Sequence, residues 1–321
     1  MLTLAEVEAA AERIRPYVVR TPLERSTTLS ALCQRDVWLK LECFQRTGSF
    51  KLRGALNALY TLTSEQRQRG VVTASAGNHG LGVAQAAALL GVRATVVVPE
   101  TASPAKIGML RSFAGTELVL RGATYDVAEE EARQIARQHA APFVSAYNDE
   151  AVIAGGGTIA REILDDLPEA RTFVVPAGGG GLISGVAVAA HGIDPRTVIY
   201  GVQSEASPAL HAAHTHGRPT QVEVKDSLAD GLAGNVEQDS ITFELIQRHV
   251  KDIVLVSEAE IAQAMRFLLE DAHVLVEGSA AVGIAALRKG LLELDREGPT
   301  VVILTGRNVA ASVLRQYVFD T

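Results

Sequence analysis

Gly48-Ser49-Phe50-Lys51-Leu52-Arg53-Gly54 is the stretch on which the reading of this chain turns. A lysine stands between an aromatic and an aliphatic residue, with a glycine three residues to either side. Lysine avoids burial unless it has a partner or a task. Between Phe50 and Leu52 its ammonium is expected to be partly desolvated, which disfavours the charge and lowers the pKa. A neutral lysine amine is a nucleophile that condenses with carbonyls. The same heptapeptide also suits a lysine that snorkels at the start of a helix. Alone, it leaves both readings open.

Working outward, apolar positions from Thr3 to Ile14 recur at helical spacing, and Pro16 ends that helix. Ser26 to Leu32 suits a short helix and Val37 to Glu42 a strand, with a helix from Leu52 to Leu62 after the lysine. Short apolar strands then alternate with amphipathic helices. Strands are expected at 71–74, 94–99, 117–120, 143–146, 172–176, 198–202, 253–256 and 300–304. Gly77-Asn78-His79-Gly80 reads as a turn, Ser103 as a helix N-cap, and Gly155-Gly156-Gly157 as a polyglycine turn opening a helix that runs to Leu167. Helices are expected at 81–90, 125–139, 182–191, 258–271 (capped by Ser257) and 279–287, and 217–230 is the least regular stretch. This rhythm is that of an α/β fold, a mostly parallel sheet flanked by helices.

The 321 residues allow one large domain or two ordinary ones. With 47% hydrophobic and 21% charged residues, the composition is that of a soluble globular protein. Cys33 and Cys43 form no CxxC pair, which fits a reducing, cytoplasmic setting. The acidic amphipathic N-terminus is no signal peptide, and the longest apolar runs are strand-length, so no membrane partner is expected. A net charge of −7, no basic block and 5% aromatics argue against nucleic acid.

Several motifs surround the lysine. Val174 to Gly185 reads strand, glycine run, helix, with Gly178, Gly179, Gly180 and Gly181 in a row and Leu182 next. Converging N–H groups at a helix N-terminus hold a phosphate. Leu182 and Ile183 stand where a dinucleotide fingerprint needs a third glycine, and there is no GK[ST], so a single phosphate is favoured. The alternative is a flexible loop. Ser75-Ala76-Gly77-Asn78-His79-Gly80 offers donors for a carboxylate or oxyanion, or is an ordinary turn. Thr305, in Leu304-Thr305-Gly306-Arg307-Asn308, puts a hydroxyl at a strand's carboxyl end, where open α/β sheets bind ligands. Glu277-Gly278-Ser279 is a cap or a site carboxylate. His211, His214 and His216 lack acidic or cysteine partners at regular spacing, so a solvated loop is preferred to a metal site.

Taken together and in this order, Phe50-Lys51-x-Arg53-Gly54, Ser75-x-Gly77-Asn78-His79, the Gly178–Leu182 loop, Glu277 and Thr305-Gly306-x-Asn308 resemble the fold-type II pyridoxal-phosphate enzymes. Within that group the chain is similar to the threonine/serine dehydratase and serine racemase branch, over nearly its whole length. The resemblance implies two domains with the cofactor between them: 1–53 plus 148–321 as the large one, and 54–147 as a small one inserted into it. It implies that Lys51 bonds covalently to pyridoxal 5′-phosphate and Phe50 packs beside the ring. Asn78 would bond the ring's 3′-oxygen, Gly178, Gly179, Gly180, Gly181 and Leu182 the phosphate, and Thr305 the region of the ring nitrogen. Ser75, Asn78 and His79 would take the substrate carboxylate.

The implied activity is deamination of L-threonine or L-serine by loss of water, with the freed lysine as general base. A hydroxyl at the ring nitrogen does not hold it protonated, which favours prompt loss of the β-hydroxyl. A homodimer or homotetramer is the expectation. Ala76 stands where racemases of this branch carry a serine on the opposite face, so racemisation is expected to be poor. Gln203 replaces a metal-binding glutamate and Ala209 a second acid, with Glu205 out of register, so no metal is expected. Arg307 replaces the usual small residue, pointing either at an acidic group or outward. The chain stops soon after its last strand, which implies no C-terminal regulatory domain. The rival readings are a hydroxy-amino-acid racemase or 3-hydroxyaspartate dehydratase of the same fold, and a non-catalytic phosphate-binding sensor.

Overall fold

The computed structural model describes residues 2–102, 104–295 and 297–319. The N-cap expected at Ser103 lies outside them. Among the described residues the strands are β1 (Leu23–Arg25), β2 (Val37–Lys40), β3 (Val71–Ala74), β4 (Ala94–Val98), β5 (Thr116–Leu120), β6 (Thr172–Pro176), β7 (Val198–Ser204), β8 (Asp252–Val256) and β9 (Thr300–Ile303). They form a six-stranded sheet in the order β1-β2-β9-β6-β7-β8 and a three-stranded sheet in the order β3-β4-β5. Every pairing is parallel except β1 with β2.

The larger sheet joins distant parts of the chain. Val37 of β2 pairs with Thr300 of β9, and Thr172 of β6 pairs with the same Thr300 on its other side. The carboxyl ends of β2, β9 and β6 are therefore neighbours. The lysine segment follows the first, the Thr305 loop the second and the glycine loop the third. That edge of a parallel sheet is where α/β folds place ligands. The smaller sheet contributes the Ser75–His79 segment from the carboxyl end of β3.

Four local expectations are corrected. Gly155, Gly156 and Gly157 are not a turn but lie inside the helix Glu150–Asp166. A Cβ on Gly155 would stand 2.5 Å from Arg53 O, and one on Gly157 2.7 Å from Gly185 O. These glycines let three helices touch backbone to backbone. Residues 143–146 are no strand: Phe143 makes one isolated bridge to Val72. Beyond it, the Val144 and Ala146 carbonyls accept side-chain bonds from His79 and Lys51 instead of extending a ladder. Gly77-Asn78-His79-Gly80 is not a separate turn, because the helix Asn78–Leu90 already begins at Asn78. His211, His214 and His216 sit on a helix, Ala209–His216, rather than in a loop. The polar helix Ser64–Arg69 had no apolar period to reveal it; its sign is the Thr63/Gln66 capping box.

The lysine helix, Lys51–Tyr60, buries Leu52, Ala55, Leu56 and Leu59 with Val71, Val83, Ala86 and Ala87. A Cβ on Gly82 would lie 3.0 Å from the Lys51 carbonyl carbon, so that glycine lets the Asn78 helix close on the start of the lysine helix. Two residues on, Arg53 centres a largely buried ionic cluster. The Arg53 guanidinium donates to both carboxylate oxygens of Glu42 at 2.8 Å and to Glu162 at 2.7 and 2.9 Å. Lys40 Nζ donates to Glu162 at 2.6 Å and to Thr21 O at 2.8 Å.

Candidate active site

Lys51 begins its helix, and its Nζ donates to the Ala146 carbonyl at 2.8 Å. The amine also sits 5.2 Å from the centre of the Phe50 ring. Burial pushes its pKa down to about 8, against the opposing pull of the Glu277 carboxylate. The amine opens into a cavity lined also by Phe50, Ala146, Gly156, Gly181 and Leu182.

The far wall of that cavity is the start of the helix Gly181–Ile193. Its first N–H groups have no carbonyl within the helix to bond. Gly180 holds φ 92°, and a Cβ there would stand 2.7 Å from Ile246 Cδ1 and 2.9 Å from Thr242 Oγ1. Thr242 Oγ1 donates to the Gly179 carbonyl at 2.8 Å and fixes the loop. Tyr147 covers the other side: a Cβ on Gly179 would lie 2.5 Å from its Cγ. Gly178 is closed by Leu232, 3.1 Å from where its Cβ would be. The run of glycines is a packing requirement as well as a candidate anion cradle.

Ser75, Asn78 and His79 come together at the head of the Asn78 helix. Ser75 Oγ accepts the Gly77 N–H at 3.1 Å. The His79 imidazole is buried, its Nε2 3.0 Å from the Val144 carbonyl. Burial, with the Lys51 charge nearby, drives its pKa down to about 3 against the Val144 bond, so the ring is neutral. A neutral ring that donates from Nε2 has no proton on Nδ1. What His79 offers an anion is therefore its backbone N–H in the first helical turn, not its side chain.

Thr305 is buried at the end of β9, and its carbonyl accepts the Phe50 N–H at 3.0 Å. The Arg307 N–H returns to Gly48 O at 2.9 Å, and Ser49 bridges Gly306. The Thr305 loop is thus zipped to the lysine loop along the backbone. Glu277 stands at the N-cap position of the helix Gly278–Lys289 but makes no side-chain cap there. Its carboxylate accepts from Asn78 Nδ2 at 2.7 Å and from the Asn308 N–H at 3.1 Å. Asn308, quoted in the sequence motif without a role, is the residue missed. The glycines around it, Gly48 and Gly306, were the available signal. Arg307 points outward, 5.1 Å over the exposed Phe44 ring.

Gln203 Oε1 accepts the His211 N–H at 2.8 Å. Among the described residues no three His, Cys, Asp or Glu side chains gather as a metal site. No helix there is long and apolar enough to cross a membrane.

An amine with a lowered pKa and a glycine-bounded helix N-terminus in one cavity suit an aldehyde and a phosphate carried on a single small molecule. A parallel-sheet fold presenting both defines a fold-type II pyridoxal-phosphate enzyme. The chain belongs to the pyridoxal-phosphate dependent enzyme family, whose model matches residues 14–306. It is 44% identical over 315 residues to the L-threonine ammonia-lyase of Thermotoga maritima, covering 98% of this chain and 77% of that protein. Maize serine racemase superposes with a TM-score of 0.93 at 32% identity, covering 98% of this chain and 96% of the racemase. The processed threonine deaminase isoform 2 of Solanum lycopersicum gives 0.91 at 32% identity, covering 98% and 86%.

Proposed function

We propose that this protein deaminates L-threonine and L-serine, eliminating water to give 2-oxobutyrate or pyruvate and ammonia. The observation that carries the reading is the shared cavity of the Lys51 amine and the Gly181 helix N-terminus. The relatives named for threonine ammonia-lyase and threonine deaminase support the substrate class. Pyridoxal phosphate, when bound, supplies an electron sink for the pair left as the substrate's Cα–H bond breaks.

This chain's residues would do the rest. Lys51 would hold the aldehyde carbon and, once displaced by the substrate amine, take the Cα proton at Nζ. Gly178, Gly179, Gly180, Gly181 and Leu182 would hold the phosphate through backbone N–H groups, with Phe50 beside the ring and Thr305 near its nitrogen. The backbone N–H groups from Ser75 to His79 would orient the substrate carboxylate. Residues 54–147 would form the small domain, and 1–53 with 148–321 the large one. A homodimer or homotetramer in the cytoplasm is the assembly and setting proposed, and sedimentation reads the former.

Purified protein with pyridoxal phosphate should release 2-oxobutyrate from L-threonine, and Lys51→Ala should abolish both that activity and the visible band of the bound cofactor. Retention of the band in the variant would sink the assignment of Lys51. A racemase requires a second proton carrier on the opposite face, and Ala76 has no proton to give. D-serine from L-serine should therefore be negligible, and its accumulation at a rate comparable to pyruvate would favour the racemase reading. Gln203 supplies a carboxamide already bonded to His211 rather than a carboxylate. Activity should survive a chelator; loss in EDTA with recovery on adding magnesium would contradict that.

A further inference from the structure

Beside Lys51, two asparagines lie between groups that only accept hydrogen bonds. At one end is the Thr47 carbonyl, at the other the Glu277 carboxylate. Asn308 Nδ2 donates to Thr47 O at 2.8 Å and to Asn78 Oδ1 at 2.7 Å. Asn78 Nδ2 donates to Glu277 Oε1 at 2.7 Å, and the Asn308 backbone N–H donates to Glu277 Oε2 at 3.1 Å. Acceptors at both ends give this chain one direction. The Thr47 carbonyl cannot donate, so the atom of Asn308 that faces it must be Nδ2. The second hydrogen of that nitrogen then points at Asn78, which must answer with Oδ1. Asn78 is left with its carbonyl engaged and one N–H to spare.

The backbone is shaped to admit this arrangement. Gly48 has φ +74°, and a Cβ there would lie 2.5 Å from Asn308 Oδ1. A Cβ on Gly306 would lie 2.4 Å from Glu277 Oε1 and 3.2 Å from Asn78 Nδ2. Any side chain at either position would break the relay.

We propose that Asn308 is a positioning residue that locks the Asn78 amide so that it presents a hydrogen-bond donor, and never its carbonyl, to the cofactor. The proposal rests on the reading that Asn78 faces the cofactor's ring oxygen. A donor held there favours the anionic form of that oxygen. Without Asn308 the Asn78 carbonyl loses its partner, and only the bond to Glu277 is left to hold the amide's orientation.

The test is a pH titration of the visible band of the cofactor-loaded protein, with cofactor affinity measured by equilibrium dialysis. Asn308→Ala should raise the midpoint of the band's pH dependence by about one unit and weaken pyridoxal phosphate binding about tenfold. The neutral, nearly isosteric Asn308→Leu, which removes the Nδ2 donor without adding a charge, should shift the midpoint in the same direction, and covers the case in which the alanine variant does not fold. Asn78→Ala should give a shift like that of Asn308→Ala, and the double variant should shift no further, because one residue acts through the other. An unchanged midpoint in the folded Asn308 variants, or additive shifts in the double variant, would overturn the proposal. Absence of any Lys51-dependent band in the parent protein would overturn the reading of the site itself, and this proposal with it.

Discussion

At Lys51 two influences oppose each other. Burial drives the ammonium toward its neutral form, the Glu277 carboxylate pulls it back, and burial wins, leaving a pKa of about 8. Above pH 8 most of the amine is free to attack an aldehyde; below it the free fraction falls about tenfold per unit. The rate at which cofactor-free protein captures pyridoxal phosphate should therefore rise with pH up to about 8 and level off above it. Stopped-flow absorbance checks this, and a rate still climbing tenfold per unit well above pH 9 (roughly the range of an unperturbed lysine) would contradict it. Phe50 and Leu52 made this lowered pKa legible in the heptapeptide. The opposing carboxylate was not legible, because Glu277 is distant along the chain and reaches the site through its hydrogen bonds with Asn78 and Asn308.

Among the elements, the helix Glu150–Asp166 shows why a local rule misled. Three consecutive glycines disfavour a helix by their backbone entropy. Here contact between backbones overrides that preference, with the Gly54 Cα 2.7 Å from where a Gly155 Cβ would stand. Gly155→Ala should destabilise the fold by about 1–3 kcal/mol, since neither neighbour is a movable side chain. Gly108 is the contrast: it lies in the helix Pro104–Arg111 with nothing within 4 Å of its would-be Cβ. Gly108→Ala should stabilise by about 0.5–1 kcal/mol, as alanine does at an unobstructed helical site. Urea unfolding of the two variants separates the cases, and equal midpoints would refute the packing account. The glycine loop was legible because strand, glycine run and helix are contiguous. The Asn78 helix was legible in kind but not in its start, since Gly77-Asn78-His79-Gly80 also has the composition of a turn.

For the molecule as a whole, the buried cluster of Lys40, Glu42, Arg53 and Glu162 ties β2, the lysine helix and the triple-glycine helix together. Burial alone would raise the Glu42 pKa. The Arg53 charge and hydrogen bonds, with Lys40 and Thr21, outweigh it and hold the carboxyl below its ordinary value. Its contribution to stability is thus present above the ordinary carboxylate pKa and lost as pH falls through the lowered one. Arg53→Met leaves the buried Glu42 carboxylate without its guanidinium partner and Glu162 with Lys40 alone, and should cost about 3–5 kcal/mol. Thermal and urea unfolding would show it as a large loss at neutral pH, and an unchanged midpoint would mean that the cluster contributes little.

The order of residues was enough to determine the parallel α/β class, which is written in contiguous strand and helix patterns, and to single out Lys51 and the glycine run as candidates; the cofactor followed only from the five motifs taken together, since none of them carries it alone. Only the tertiary structure decided that β2, β9 and β6 lie side by side, which brings Lys51, Thr305 and the glycine loop to one edge. It alone turned the His79 ring to the Val144 carbonyl, buried the triple glycines in a helix contact and threaded Asn308 between Thr47 and Asn78. Those facts depend on strand order and on atoms far apart in the chain, and a local pattern carries no record of which distant residue will stand opposite.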